Sequence, residues 1–189
     1  MFQNILFKEI KWILLRKKLK KIKLLILDVD GVLTDGNLFY DYQGNQIKRF
    51  SVKDGLGIRY LHKAGLNICI VSGGKEDVIK KRAEDLNIKY IYCYVKNKKE
   101  KVEILQEEFK VKKENILYVG DDLNDLTVRK VVGLLIAPND ASKKLKKFCN
   151  AILKNNGGCG AIRELAERLL KGTKLLKSIE EEGFTEINS

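Results

Sequence analysis

Proline, histidine, methionine and tryptophan each occur only once in this chain of 189 residues. One proline beside 15 glycines excludes a Pro-rich, collagenous or low-complexity protein. The lone histidine, His62, stands inside an expected helix without partners, so no histidine chemistry is expected. No apolar run approaches the roughly 18–20 residues that span a bilayer. The opening stretch is broken by Lys8, Glu9 and Lys11 and has no small-residue cleavage site. Neither a transmembrane segment nor a secretory leader is therefore expected. Cys69, Cys93, Cys149 and Cys159 show no C-x-x-C spacing. A chain of this size needs no disulfides, and reduced thiols in a cytoplasmic protein are the simpler reading.

What is present is a soluble chain with a core: 44% of residues are hydrophobic and 33% charged, at the size of one ordinary domain. The formal charge of +12 is unevenly placed, since residues 1–23 hold eight Lys/Arg against Glu9 alone, a local +7. Ile10, Ile13, Leu14 and Leu19 among those lysines predict a basic amphipathic helix over 8–21. Such a helix could hold nucleic acid or an anionic membrane surface, or pack on a partner. Binding through it is the non-enzyme alternative, with nucleic acid not expected as the main partner. Trp12 reads as a packing anchor.

From residue 22 the pattern changes. Ile22–Leu27 is a short apolar run ending in acid, a buried strand. Leu38–Tyr42 and Gln46–Ser51 flank the turn signal Gln43-Gly44-Asn45 and predict a hairpin. A helix follows at Asp54–Ala64, stopped by Gly65. Then strands at Asn67–Val71, Lys89–Tyr92, Ile116–Val119 and Gly133–Ile136 alternate with helices at Lys75–Leu86, Lys98–Phe109 and Leu123–Lys130. A short helix at Asp140–Phe148, a strand at Ala151–Leu153 and a helix at Gly160–Leu170 complete the body. The alternation implies βαβ units and a parallel sheet with helices on both faces. The expected division is a basic, helical extension (1–21), a folded α/β domain (22–171) and a loose tail (172–189).

Ligands of open α/β sheets gather outside the carboxyl ends of the strands. Here one strand ends in Asp28-Val29-Asp30-Gly31-Val32-Leu33-Thr34-Asp35-Gly36, the next in Ser72-Gly73-Gly74, and another in Gly120-Asp121-Asp122-Leu123-Asn124-Asp125; Lys98 opens a helix between them. Clustered carboxylates repel unless a cation sits among them, and a hard, oxygen-seeking ion such as Mg²⁺ fits best. The serine and lysine are placed to hold a phosphoryl group. One aspartate can attack phosphorus, and a second, two residues on, can move the proton.

This ordered set resembles the haloacid dehalogenase superfamily of phosphohydrolases, whose core is a Rossmann-like three-layer α/β/α sandwich. The hairpin in place of a cap domain, Arg49–Arg59 and Gly157–Glu164 are similar to the capless branch containing 3-deoxy-D-manno-octulosonate (KDO) 8-phosphate phosphatases and phosphatases of nine-carbon sialic-type sugar acids. The resemblance spans about Lys21–Leu170. It implies that Asp28 is nucleophile and Mg²⁺ ligand, and that Asp30 is acid/base and a ligand through its carbonyl. It makes Asp121 the third ligand, with Asp125 orienting the site and Asp122 beside it. Ser72 and Lys98 would hold phosphoryl oxygens. Ser51, Val52, Lys53, Asp54, Gly55, Arg59, Gly74 and Arg82 match positions that contact the sugar acid, along with Asp30 and Lys98.

The resemblance further implies a small anionic sugar-acid phosphate as substrate, a homotetramer in which neighbours close each site, and a place in lipopolysaccharide-type sugar synthesis. Arg163, in the Gly-rich segment, is the residue that could reach a neighbouring site. Two departures bear on the substrate. Gly74 stands where the octulosonate enzymes usually have arginine, and Lys53 replaces an arginine with a point charge, which recognises a carboxylate less strictly. The reading leans to the eight-carbon substrate, with a nine-carbon sugar-acid phosphate as the alternative.

Overall fold

Short apolar runs separated by capped helices give the chain its alternation of strand and helix. The computed structural model describes residues 2–185. In chain order the elements are helix α1 (Phe2–Leu19), strand β1 (Leu24–Leu27), a hairpin of β2 (Phe39–Tyr40) and β3 (Gln46–Ile47), α2 (Val52–Lys63), β4 (Asn67–Val71), α3 (Glu76–Asp85), β5 (Tyr90–Tyr92), α4 (Lys98–Glu108), β6 (Ile116–Val119), β7 (Leu134–Ala137), α5 (Lys143–Lys146), β8 (Ala151–Ile152), α6 (Ala161–Leu170) and α7 (Lys174–Glu182). Six strands form one parallel sheet in the order β5-β4-β1-β6-β7-β8.

The sheet is apolar on both faces. Along β1, Leu25 and Leu27 join a core with Ile58 and Leu61 of α2 and Leu165 of α6. Leu24 and Ile26 point the other way, to Val102 and Leu105 of α4. Each such side chain removed from water is worth about 1.5–3 kcal/mol, so continuous apolar runs are stable only where helices cover both sides. This is the expected three-layer α/β architecture with a small hairpin. The chain runs outward from β1 through β4 to β5, then returns to β6 on the other side of β1. That reversal opens a crevice at the carboxyl end of β1.

Local caps set where helices begin. Ser51 Oγ accepts from Asp54 N (3.3 Å) at the start of α2, and Asn97 Oδ1 accepts from Glu100 N (3.2 Å) at the start of α4. Helix α6 begins at Gly160, whose φ of 96° admits no ordinary side chain, and it has no cap of its own. Asp54 supplies one from α2: its carboxylate accepts from the backbone N–H of Gly160 (3.0 Å), Ile162 (2.8 Å) and Arg163 (3.0 Å).

Several elements differ from expectation. The C-terminal stretch expected to be loose forms α7, capped by Thr173 and anchored by buried Leu176 and Ile179. The hairpin strands shrink to two residues each, because an exposed two-stranded ribbon has no third strand or helix to extend its pairing. The helix expected at Leu123–Lys130 is a 3-10 segment from Asp125 to Lys130, since the Asp125 carboxylate binds the preceding backbone instead. The helix expected at Asp140–Phe148 is reduced to Lys143–Lys146, as Asn150 must already pair with Leu135 of β7.

Helix α1 packs on the body through Trp12 and Leu19, both in the α2/α6 core. The Arg168 guanidinium lies 4.4 Å from the Trp12 ring and bonds Glu9 at 2.8 Å. The hydrogen bond from Arg168 holds the Glu9 carboxyl down at about 2, against the opposing effect of partial burial. Ile10, Ile13 and Leu14 remain exposed on its outer side.

Candidate active site

Three strand ends and one helix start build the site. Asp28 leaves β1 still in register, its N–H donating to Val119 O (3.0 Å), and its Oδ1 accepts from Val29 N (2.8 Å). The chain then turns tightly, with the N–H groups of Val32, Leu33 and Thr34 all directed at Val29 O. Gly31 makes this possible at φ +73°; a Cβ there would collide with the Asp121 carboxylate. Lys98, first residue of α4 and only 3% exposed, places its Nζ 2.6 Å from Asp28 Oδ2 and 2.6 Å from Asp125 Oδ1.

Asp125 is fully engaged. Oδ1 accepts from Lys98 and from the Tyr118 hydroxyl (2.8 Å); Oδ2 accepts from the N–H groups of Asp121 (2.8 Å) and Asp122 (3.3 Å). With both oxygens doubly bonded, it fixes the Gly120–Asp125 loop and the Lys98 ammonium. Asp28, Asp121 and Asp125 offer carboxylate oxygens within 4.8 Å of one another. Burial, and then the nearby Asp125 charge, push Asp28 up to about 6, with Lys98 opposing. Burial, Asp125 and Asp28 push Asp121 up to about 7. Burial works against the Lys98 charge, but the two aspartates overcome it and its pKa is raised.

One ammonium thus bonds two of the three carboxylates, Asp28 and Asp125, and Asp28 and Asp121 keep lone pairs to offer. Those are hard oxygen donors in a partly dry site, a donor set that fits Mg²⁺. Beside them is a cavity of about 490 Å³ lined by Asp28, Asp30, Ser72, Gly74, Asp121 and Asp122. Ser72 forms its wall, with Oγ accepting from Gly74 N (3.0 Å). A buried carboxylate, an ammonium, a hydroxyl and a cation site around one cavity can bind a phosphate ester and move its phosphoryl group.

The structure thus gathers Asp28, Asp30, Ser72, Gly74, Lys98, Asp121, Asp122 and Asp125, but within one chain it does not bring the other expected contacts to this cavity. Asp54 is buried, and its carboxylate is committed to capping α6. Burial raises its pKa, and the three N–H groups of Arg163, Gly160 and Ile162 oppose that. Gly55 packs against Arg82 and Leu86. Arg82 donates to Ser51 O (3.1 Å), and Arg59 reaches Asp85 O (3.5 Å). Val52 and Lys53 are exposed at the start of α2. Arg163 stacks on Tyr60 at 4.4 Å and pairs with Glu167 at 2.7 Å. The Gly-rich segment packs on its own chain's catalytic loop: Gly158 N donates to Val32 O (3.0 Å), and a Cβ on Gly157 would strike Gly31 O.

Two polar partners escaped the sequence reading. Tyr118 looked like core, although a tyrosine in a fully buried strand needs a hydroxyl partner, which was the available signal. Lys48, at the foot of the hairpin, donates its Nζ to Asp30 Oδ1, and nothing in the sequence distinguished it from a surface lysine.

Residues 48–133 match the model of the haloacid dehalogenase-like hydrolases. The chain is 38% identical over 157 residues to the KDO 8-phosphate phosphatase of Haemophilus influenzae, covering 83% of this chain and 87% of that protein. It is 39% identical over 153 residues to the same enzyme of Escherichia coli K12, covering 81% of each. A crystal structure of the Moraxella catarrhalis KDO 8-phosphate phosphatase, in complex with magnesium, phosphate and KDO, superposes with a TM-score of 0.84 at 31% identity. The match covers 88% of this chain and 95% of that one. The chain belongs to the haloacid dehalogenase-like hydrolases and is a phosphomonoesterase with Mg²⁺ as cofactor. Within that family its kinship is with the branch of the KDO 8-phosphate phosphatases.

Proposed function

We propose that the protein hydrolyses KDO 8-phosphate to KDO and inorganic phosphate. The observation that carries this is the buried Asp28 carboxylate, held by Lys98 on the floor of a cavity large enough for a phosphate ester. The kinship with enzymes named for that substrate supports the choice of sugar.

In this reading Asp28 attacks phosphorus while Asp30 gives a proton to the departing sugar oxygen. Ser72 and Lys98 hold the phosphoryl oxygens as charge shifts among them. Water then cleaves the aspartyl-phosphate, returning its proton to Asp30 and releasing phosphate. Asp28, Asp121 and the Asp30 carbonyl would hold Mg²⁺, with Asp125 and Asp122 orienting them. When bound, the ion offsets negative charge between the carboxylates and the phosphoryl group.

The sugar acid's carboxylate is met by Ser51, Lys53, Arg59 and Arg82, presented to a neighbouring copy's cavity in a cytoplasmic homotetramer. What supports the tetramer is the exposed apolar hairpin beside the site: Leu38, Phe39, Tyr40 and Ile47 are exposed, and Tyr42 is 95% so. The test is Mg²⁺-dependent phosphate release from KDO 8-phosphate beside nine-carbon sugar-acid phosphates, with Asp28→Asn as control. Preference for the eight-carbon ester, abolished in the control, is expected. Preference for a nine-carbon ester would keep the chemistry and overturn the substrate.

A further inference from the structure

Lys48 follows β3 at the foot of the hairpin, and its side chain is 2% exposed. Its ammonium donates to Asp30 Oδ1. The neighbouring hairpin pair, Arg49 with Asp35 at 2.6 Å, is by contrast a surface contact whose arginine is 64% exposed, of the kind that contributes little. Burying a lysine ammonium is costly, and an ordinary hairpin has no need of it. Asp30 itself is 40% exposed and lines the cavity. Its two oxygens face differently: Oδ1 is held by Lys48, while Oδ2 lies 3.3 Å from where a Cβ on Gly74 would stand, on the Ser72–Gly74 wall.

We propose that Lys48 is a positioning residue for Asp30, fixing which carboxylate oxygen faces the substrate and thereby tying the hairpin to the proton-transfer step. The proposal rests on the reading of Asp30 as acid and base. With Oδ1 occupied by an ammonium, the proton of the acid form sits on Oδ2. As the bond from Asp28 to phosphorus forms and the ester P–O bond breaks, that proton passes to the leaving oxygen. In the second half, water bonds to phosphorus, its proton returns to Oδ2, and the bond to Asp28 breaks.

A leaving group's need for this proton separates positioning from mere packing. A sugar alkoxide cannot depart without it, whereas nitrophenolate can. The experiment measures first-turnover release of alcohol by the full-length enzyme with Mg²⁺, using KDO 8-phosphate and p-nitrophenyl phosphate. Lys48→Met keeps the stem and removes the charge. Its alkyl rate is expected to fall about thirtyfold and its aryl rate less than about threefold, short of the roughly hundredfold or more that losing the acid itself costs. Lys48→Arg keeps a buried cation and guards against failure to fold. Its fork spans both oxygens of Asp30, so the alkyl-to-aryl ratio is expected to fall there too. Equal losses on both substrates, or a wild-type ratio in a folded variant, would overturn the proposal. Asp30→Asn is run alongside. If it loses the alkyl rate selectively and the Lys48 variants do not, only the proposal fails; if it shows no selectivity, the reading of Asp30 fails first.

Discussion

The floor of the cavity and its rim are built on opposite plans. On the floor, Asp28, Lys98, Asp125 and Tyr118 are buried and hydrogen-bonded to one another. At the rim, the hairpin leaves Phe39, Tyr40, Tyr42 and Ile47 in solvent, and Lys53 stands free at the start of α2. A buried network of hydrogen-bonded charges is rigid, and it suits chemistry common to many phosphate esters. A surface left apolar and open suits a partner or a substrate tail, where specificity is decided. The division assigns reaction type to a single chain and substrate choice to what surrounds it.

The largest expected effect comes from breaking the floor. Asp28→Asn removes the oxygen proposed to attack phosphorus, and phosphate release is expected to fall by more than roughly a thousandfold on every ester, aryl or sugar. Loss on the sugar phosphate alone would mean that the floor is not the common chemistry.

Next is the join between floor and rim. Asp54→Ala leaves three N–H groups at the start of α6 without their carboxylate. A loss of about 3 kcal/mol in urea unfolding is expected. A loss under about 1 kcal/mol would show that α6 does not depend on this cap.

Attacking the rim should spare the floor. Phe39→Asp is expected to convert the proposed tetramer to smaller species by light scattering. KM for the sugar phosphate should rise about tenfold while turnover of p-nitrophenyl phosphate changes little. Equal effects on both substrates would erase the distinction between the two regions.

The floor also predicts a pH signature. Burial and the neighbouring carboxylates push Asp28 up to about 6 and Asp121 up to about 7, above the 3.8 of an unperturbed aspartate. Folded carboxyls that hold protons more tightly than unfolded ones add stability at low pH. That stability is lost as pH rises from about 4 through about 7. Mg²⁺ requires the ionised forms, so the rise in Tm that it produces should be slight at pH 5 and reach about 5 °C at pH 8. A rise independent of pH would show that these carboxyls are not the ones the ion meets.

The smallest effect is expected from Gly74→Arg. The new side chain starts 3.3 Å from Asp30 Oδ2 and Ser72 Oγ, neighbours that can shift, and points a cation at the rim. A few-fold change in the ranking of eight- and nine-carbon esters is expected. An unchanged ranking would remove position 74 from substrate choice.

Legibility followed the same division. The floor could be read in advance because Asp28, Ser72, Lys98 and Asp121 each follow a strand or open a helix, and parallel strands bring such positions to one edge. Tyr118 and Lys48 were missed, since their partners, Asp125 beyond the end of the same strand and Asp30 in the loop after β1, are met only in the folded chain. Asp54 was read as a substrate contact from the family resemblance of the segment Ser51–Gly55. The cap it provides for α6 lies more than a hundred residues away, beyond any local pattern. Residues 174–182 look merely charged until Leu176 and Ile179 are seen on one buried face.

Local order of residues therefore determined the alternation of strand and helix, the parallel sheet, and the acidic strand ends that make a hydrolase of this family. Those follow from periodicity and spacing, which are properties of the chain itself. Tertiary structure alone decided which carboxylates keep free oxygens, which lysine meets Asp28 and which meets Asp30, and which glycines must remain bare. Those depend on the distance between groups far apart in sequence, and in a buried site a few tenths of an ångström separates a hydrogen bond from an unpaired charge.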